Sequence, residues 1–171
     1  MANNNIPNFR QIGEDILKQL PEEVADMALQ FFRGSFRKQG FTDHAFIEWA
    51  KRKDSEAHLI LGKTGALERS LEIVSATMSK VQIDAGKGIP YAEIHNTGGV
   101  ITVRVTERSR RYFWYMYKKT NQSRWKLMAL TKKEHFKIVI PQRQYIGQSA
   151  TLLKEIDQFI IHKIITRFNQ G

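Results

Sequence analysis

The chain has 171 residues, with 27 Lys/Arg against 17 Asp/Glu and a formal net charge of +10. Its 42% hydrophobic and 26% charged content suits one ordinary core and excludes a disordered tail. Cysteine is absent, which excludes a disulfide frame or a thiolate-bound metal, and no apolar run reaches the roughly 20 residues that a membrane helix needs. The start, Met1-Ala2-Asn3-Asn4-Asn5, lacks the basic-then-apolar layout of a signal peptide.

The first predicted element is a helix capped by Asn8, with Gln11 at capping-box spacing and Phe9, Ile12, Ile16, Leu17 and Leu20 at helical intervals. Pro21 is expected to end or kink it and open a second helix, whose apolar face is Val24, Met27, Ala28, Phe31 and Phe32, with Gly40 as the stop. A short third helix is expected over residues 43–53, with Ile47 and Trp49 turned inward and Lys51-Arg52-Lys53 as its solvated end. Gly62-Lys63-Thr64 invites comparison with a phosphate-binding loop. That motif needs a glycine five residues before Gly62, where Ala57 stands, so nucleotide binding is rejected. Thr64 is instead a candidate cap for a short helix through Leu67 and Leu71. Residues 73–78 and 80–85 read as two strands.

The chain is organised around Ile89-Pro90-Tyr91-Ala92-Glu93-Ile94-His95-Asn96-Thr97-Gly98-Gly99. It reads as a short half-buried element and a sharp reversal, followed by a strand from Val100 to Val105. A charged segment then runs from Arg108 through Arg110, Arg111, Tyr112, Phe113, Trp114, Tyr115 and Tyr117 to Lys118 and Lys119, and continues at Arg124, Trp125, Lys126, Lys132 and Lys133. Residues 104–143 hold twelve of the basic residues and two of the acidic ones, leaving fifteen of each elsewhere, so the whole imbalance sits there. Cations interleaved with aromatics suit phosphates and bases. An arm whose rings pack on the domain or a neighbouring subunit is preferred, because no known nucleic-acid-binding motif can be placed on the segment. A strand over 136–140 ends at Pro141, and Ser149 caps a final helix bearing Leu153, Ile156, Ile160, Ile164 and Phe168.

The expected fold is α+β: N-terminal helices and a C-terminal helix packed on a mostly antiparallel sheet, with a basic aromatic insert. No linker or repeat interrupts it. One domain over 1–171 is expected, with a helical region over 1–57, a core over 58–147 carrying the insert at about 106–135, and a final helix over 148–171.

Catalytic groups are scarce. The five histidines, His44, His58, His95, His135 and His162, fall at no metal-ligand spacing, and no serine-nucleophile motif is present. Glu93 and His95 would share a face of a strand, and a nuclease centre can be drawn there with Asp84, yet such a pair arises readily by chance. His95 is read instead as bonding backbone in the reversal. Neither an enzyme nor a cofactor is expected.

Three pieces carry a family resemblance. The run Tyr91-Ala92-x-x-His95-x-x-Gly98-Gly99 resembles the signature of the bacteriophage virion morphogenesis (tail completion) family, of the Mu-like tail–head joining type. The segment Leu61-Gly62-Lys63-Thr64-Gly65-Ala66-Leu67-Glu68-Arg69-Ser70-Leu71 resembles that family's leucine-x-x-threonine-glycine-x-leucine-x-x-serine piece. Ile140-Pro141-Gln142-Arg143-Gln144-Tyr145-Ile146-Gly147 resembles its proline-x-arginine piece, with Gln144 where the family often has a second proline. The resemblance implies a structural protein of the virion, made in the bacterial cytoplasm, that completes the tail or head–tail junction beside other tail or neck proteins. It also implies a cyclic homo-oligomer. The matching residues Thr64, Gly65, Leu67, Tyr91, Ala92, His95, Gly98, Gly99, Pro141 and Arg143 are read as architectural. Arg108, Arg110, Arg111, Trp114, Lys118, Lys119, Arg124 and Lys126 are the candidate interaction surface, with DNA binding as the alternative.

Overall fold

The computed structural model describes residues 8–52 and 58–170; Met1–Asn5, Lys53 and Ala57, discussed above, lie outside them. The described residues form two compact units, one running up to Thr97 and resuming at Gln142, the other being Gly98–Pro141.

The first unit is built on α1 (Phe9–Lys38), a single helix of 30 residues. Asn8 caps it, its side chain accepting the Gln11 N–H at 3.1 Å. Contrary to the sequence expectation, the helix runs through Pro21. An interior proline removes a backbone donor and costs about 3 kcal/mol. Here the apolar stripe continues on both sides of it, with Ile16 and Leu20 buried before and Ala25, Ala28, Leu29, Phe32 and Phe36 after, so burial outweighs the break. Nor does Gly40 end the helix. Gln39 takes the left-handed cap conformation at φ 58°, and its N–H donates to the Ser35 carbonyl.

Residues read as a third helix form a hairpin of β1 (Gly40–Thr42) and β2 (Phe46–Glu48). Gly40 is required by that hairpin, since a Cβ there would collide with the Phe46 ring and the Ile47 carbonyl. Ile47 is exposed, whereas Trp49, just past the strand, is buried beside Phe36 with ring centroids 5.6 Å apart. The short α2 (Ala66–Arg69) follows Thr64, whose hydroxyl accepts the Ala66 N–H at 3.3 Å, and it buries Leu67. Next, β3 (Glu72–Ala76) pairs antiparallel with β4 (Val81–Asp84), with a bulge between Ile73 and Ser75. The stretch after Tyr91 is helical, as α3 (Ala92–Thr97), so Glu93 and His95 do not share a face as they would on a strand. Ala92 is small for a reason: Gly86, at φ 81°, packs so closely that a Cβ there would overlap the Ala92 Cβ.

The third motif piece ties these elements together. Its Arg143 N–H donates to the His95 carbonyl at 2.7 Å, and the Tyr145 and Ile146 N–H groups donate to Asn96 Oδ1 at 2.9 and 3.2 Å. On the other side, Trp49 Nε1 donates to the Gln144 carbonyl at 2.7 Å. That bond uses the Gln144 carbonyl, which a proline would also offer. We expect Asn96→Ala to lower stability by about 1–3 kcal/mol, because two part-buried backbone donors lose one acceptor. Asn96→Asp, which keeps the acceptor, should restore most of it. Urea midpoints of the two variants check this, and an unchanged midpoint for the alanine would contradict it.

The last helix of this unit, Ala150–Gln170, starts where Ser149 Oγ accepts the Leu152 N–H at 3.0 Å. The same hydroxyl donates to the Thr42 carbonyl at 2.8 Å, and Asp43 Oδ1 accepts the Ala150 N–H at 2.8 Å. Along its length it meets α1 through the stacked Phe9 and Phe168 rings and the Lys163–Glu23 ion pair.

The second unit is a two-stranded ladder and a helical hairpin. Its strands, β5 (Gly99–Arg104) and β6 (His135–Ile140), pair antiparallel with Ile101 opposite Ile138 and Val103 opposite Phe136. Gly98, at φ 72°, opens this unit in a conformation that suits glycine. Between the strands lie α4 (Glu107–Thr120) and α5 (Ser123–Leu130). Thr106 caps α4, its hydroxyl accepting the Ser109 N–H at 3.2 Å while the Ser109 hydroxyl accepts the Thr106 N–H at 2.8 Å. Phe113 is the hub of a small aromatic core, 6.1 Å from the Trp125 ring and 6.0 Å from Phe136.

The fold is α+β, with antiparallel pairing throughout. The strands do not merge into one sheet, however; among the described residues they form three separate two-stranded ladders. In chain order the final helix is α6 (Ala150–Gln170).

Candidate functional site

In the first unit the three motif pieces meet at one cavity. Thr64 from the first, Tyr91 from the second and Arg143 from the third line it together with Arg52, His58, Ile60, Leu61 and Lys63, around a volume of about 350 Å³. The walls are cationic on one side and aliphatic or aromatic on the other, and the described lining includes no carboxylate. Each wall has a local cause. Arg143 follows the chain segment pinned to His95, and its Nη2 donates to the Ala50 carbonyl at 3.2 Å. Arg52 Nη1 lies 2.6 Å from His58 Nε2. Ile60 is held by Gln39, whose Oε1 accepts the Ile60 N–H at 2.6 Å. Leu61 sits in the left-handed region at φ 57°, a strained conformation for a branched side chain.

The electrostatics are those of crowded, part-desolvated cations. Burial lowers the Arg143 pKa, and the nearby Arg52 charge lowers it further. His95 is held below its ordinary value, first by burial and then by Arg143. His95 Nδ1 and Arg143 Nε are both buried without a hydrogen-bond partner. His95 therefore does not use Nδ1 to brace the reversal as the sequence reading expected; its carbonyl and the Asn96 side chain do that work. The Tyr91 and His95 rings meet edge to face at 5.8 Å.

The other matching residues are placed elsewhere. Leu67 and Ala92 are in the core, and Gly65 is left-handed at φ 64° just before α2. Gly98, Gly99 and Pro141 belong to the second unit, together at the end of its ladder where Gly99 pairs with Ile140. Sequence reasoning missed Arg52, assigned to a solvated helix end but half-buried here, and His58 and Lys63 as companions of Arg143. A lining residue's neighbours some 80 positions away, as Lys63 and Arg143 are, leave no local signal. Asn96 was readable only as a turn residue.

The basic aromatic segment divides by face. Arg108, Arg111, Tyr115, Lys118 and Lys119 fall at helical spacing along the exposed side of α4. Arg110 does not join them: its guanidinium donates to the Ala129 and Thr131 carbonyls at 2.9 and 2.5 Å and closes the C-terminus of α5. It is a structural residue of the hairpin, a correction to its place in the candidate surface. Trp114 is 37% exposed and packs against Tyr117 at 6.1 Å. Arg124 lies over the Trp125 ring at 5.1 Å, and Lys126 is 6.0 Å from the Tyr117 ring. On the ladder, Ile101 and Ile138 lie opposite each other and both remain exposed.

Among the described residues, no group of three or more His, Asp or Glu could hold a metal ion, and no helix is long and apolar enough to cross a membrane. Neither the curated proteins nor the solved structures include a significant match to the chain. Residues 8–164, which span both units and all three motif pieces, match the phage virion morphogenesis family. The chain belongs to that family.

Proposed function

We infer from family membership that this is a structural, virion-associated component of phage assembly. We propose that it completes the tail or the head–tail junction as a closed ring of identical subunits, working in the bacterial cytoplasm before it enters the virion, without catalysis or a cofactor. The observation that carries this reading is the surface of the second unit, which joins two features. Its exposed α4 face is a row of cations, and its ladder leaves Ile101, Val103, Ile138 and Val139 in solvent. Exposed apolar side chains on a two-stranded ribbon call for a covering partner. Copies of so basic a unit repel one another, so each must meet a different, less charged surface of its neighbour. Such a head-to-tail contact repeats, and it closes into a ring when the rotation allows.

DNA running along the α4 face is the second reading, favoured by the alignment of Arg108, Arg111, Lys118 and Lys119 on one side. The quadruple change of these residues to glutamine separates the two and leaves Arg110 in place. Native mass measurement should show a multimer for the parent and smaller species for the variant at equal concentration. If the parent is monomeric at every concentration tested, the ring is wrong. An unchanged ring that loses DNA retention, with the salt slope falling by about 0.9 per lost phosphate contact, would favour the second reading.

A further inference from the structure

We propose that the apolar face shared by α6 and the start of α1 seats the β5–β6 ribbon of a neighbouring copy. This contact presupposes the ring proposed above and supplies its second surface. The final helix is apolar on two sides. One side carries Leu152 and Ile156 into the core of its own unit. The other carries Leu153, Ile161, Ile164, Ile165 and Phe168, which helical spacing gathers into one stripe, and all five stay 38–62% exposed. Phe9 carries the stripe onto α1: its ring stacks on Phe168 at 5.8 Å, yet it is itself 52% exposed. At roughly 200 Å² for a whole large side chain, these six leave about 600 Å² in solvent. That is the upper end of what a monomer normally shows, and about three quarters of one side of a standard protein–protein interface. The area calls for a polypeptide surface as the occupant.

Charge selects which surface. Asp157 lies within the stripe, one turn from Leu153 and one turn from Ile161. If α6 packed on a second α6 about a two-fold axis at Ile161, each Asp157 would face Ile165 of the other copy. Its carboxylate would then lose water with no counter-charge, a costly burial. A cationic partner removes that cost. The second unit holds eleven basic and two acidic residues, whereas the first is nearly neutral. Its ribbon also has the matching apolar face. Ile101, Val103 and Ile138 share one side of the ladder and are 38–46% exposed, although Phe113 covers Phe136 beside them. Arg104 and Lys137 occupy the alternate positions of the same strands, so cations border that face. One contact of ribbon on α6 therefore covers both apolar surfaces and sets Asp157 among positive charge.

Mixing two full-length variants tests this. Ile138→Lys disables the ribbon face and Ile161→Lys the α6 face. Both positions are exposed, so each variant should keep the parent's thermal unfolding midpoint. Each alone should need at least about tenfold more protein than the parent to assemble, as read from mass in solution. Mixed in equal amounts, they should recover a heterodimer of twice the chain mass, because the intact ribbon of one meets the intact α6 face of the other. Assembly should stop there, since that pair has no second working contact. Where Ile138→Lys loosens the ladder, Ile101→Thr replaces it and keeps a β-branched strand residue. If the parent assembles and either variant assembles equally well, that variant's face is not in the contact, and the proposal fails while the ring stands. Variants that are each monomeric and stay so when mixed overturn it too, because the two faces then do not meet. A parent that is monomeric at every concentration removes the ring and this contact together.

Discussion

Tyr145→Ala is expected to destabilise the first unit by about 3–5 kcal/mol, the range for removing a large buried aromatic. Only 2% of Tyr145 is exposed, the least of any aromatic side chain in the core. Its ring packs on Phe36 at a 5.3 Å centroid separation, and Phe36 in turn packs on Trp49. Its hydroxyl donates to the Ala92 carbonyl at 3.1 Å, and burial raises its pKa, which keeps the phenol protonated for that bond. One residue thus joins α1, the hairpin exit and α3. Tyr145→Phe keeps the ring and loses one hydrogen bond, so about 1 kcal/mol is expected. Because Trp114 and Trp125 lie in the other unit, total tryptophan fluorescence mixes two signals; hydrogen exchange of α1 amides reports on the first unit alone. Equal losses in the alanine and phenylalanine variants would place the effect in the hydroxyl and contradict the packing account. A loss below about 1 kcal/mol in the alanine variant would show that the core closes without this ring.

The fold was legible where the signal is local. Asn8 and Ser149 as caps, the paired strands at 72–84 and the Gly98 reversal follow from side-chain chemistry within a few residues. It was illegible where distant partners decide. Pro21 reads as a break because propensity counts the lost bond, while the continuous stripe from Ile16 to Phe36 offsets it only when packed. Residues 40–48 carry too few apolar positions to fix a period. Their hairpin is selected by Asp43, which takes the Ala150 and Thr151 N–H groups from more than 100 residues away. The Tyr91–Asn96 stretch fits a half-buried strand or a single helical turn equally well by periodicity. The motif residues were recognisable as a set, but their convergence was not. Thr64, Tyr91 and Arg143 line one cavity while Gly98 and Pro141 frame another unit, a division that spacing along the chain cannot express. Likewise the segment's cations read as one surface until Arg110 is seen closing α5.

Excising Gly98–Pro141 and joining Thr97 to Gln142 by a short glycine-serine link should leave the first unit folded and abolish ring assembly. The cut ends are already neighbours within that unit, since His95 accepts the Arg143 N–H at 2.7 Å and Asn96 holds Tyr145 and Ile146. A short link therefore spans a gap that the remaining structure sets, and closing a shorter loop costs less chain entropy. The second unit brings its own aromatic core around Phe113, so its removal takes away a self-contained set of contacts. It also takes eleven of the 27 basic residues and two of the 17 acidic ones, leaving a nearly neutral chain. Cooperative thermal unfolding and protected α1 amides are the expected signs of an intact first unit. Loss of the transition would mean that the second unit is needed to fold the first. In solution the shortened chain should have the mass of a monomer where the parent is multimeric, and it should fail to complete tails. A shortened chain that still forms the parent's multimer would move the subunit contact onto the first unit. The exposed Leu153, Ile161 and Ile165 of α6 would then be the apolar surface to test next, because side chains of that size left in solvent along one helix are what a neighbouring copy would cover.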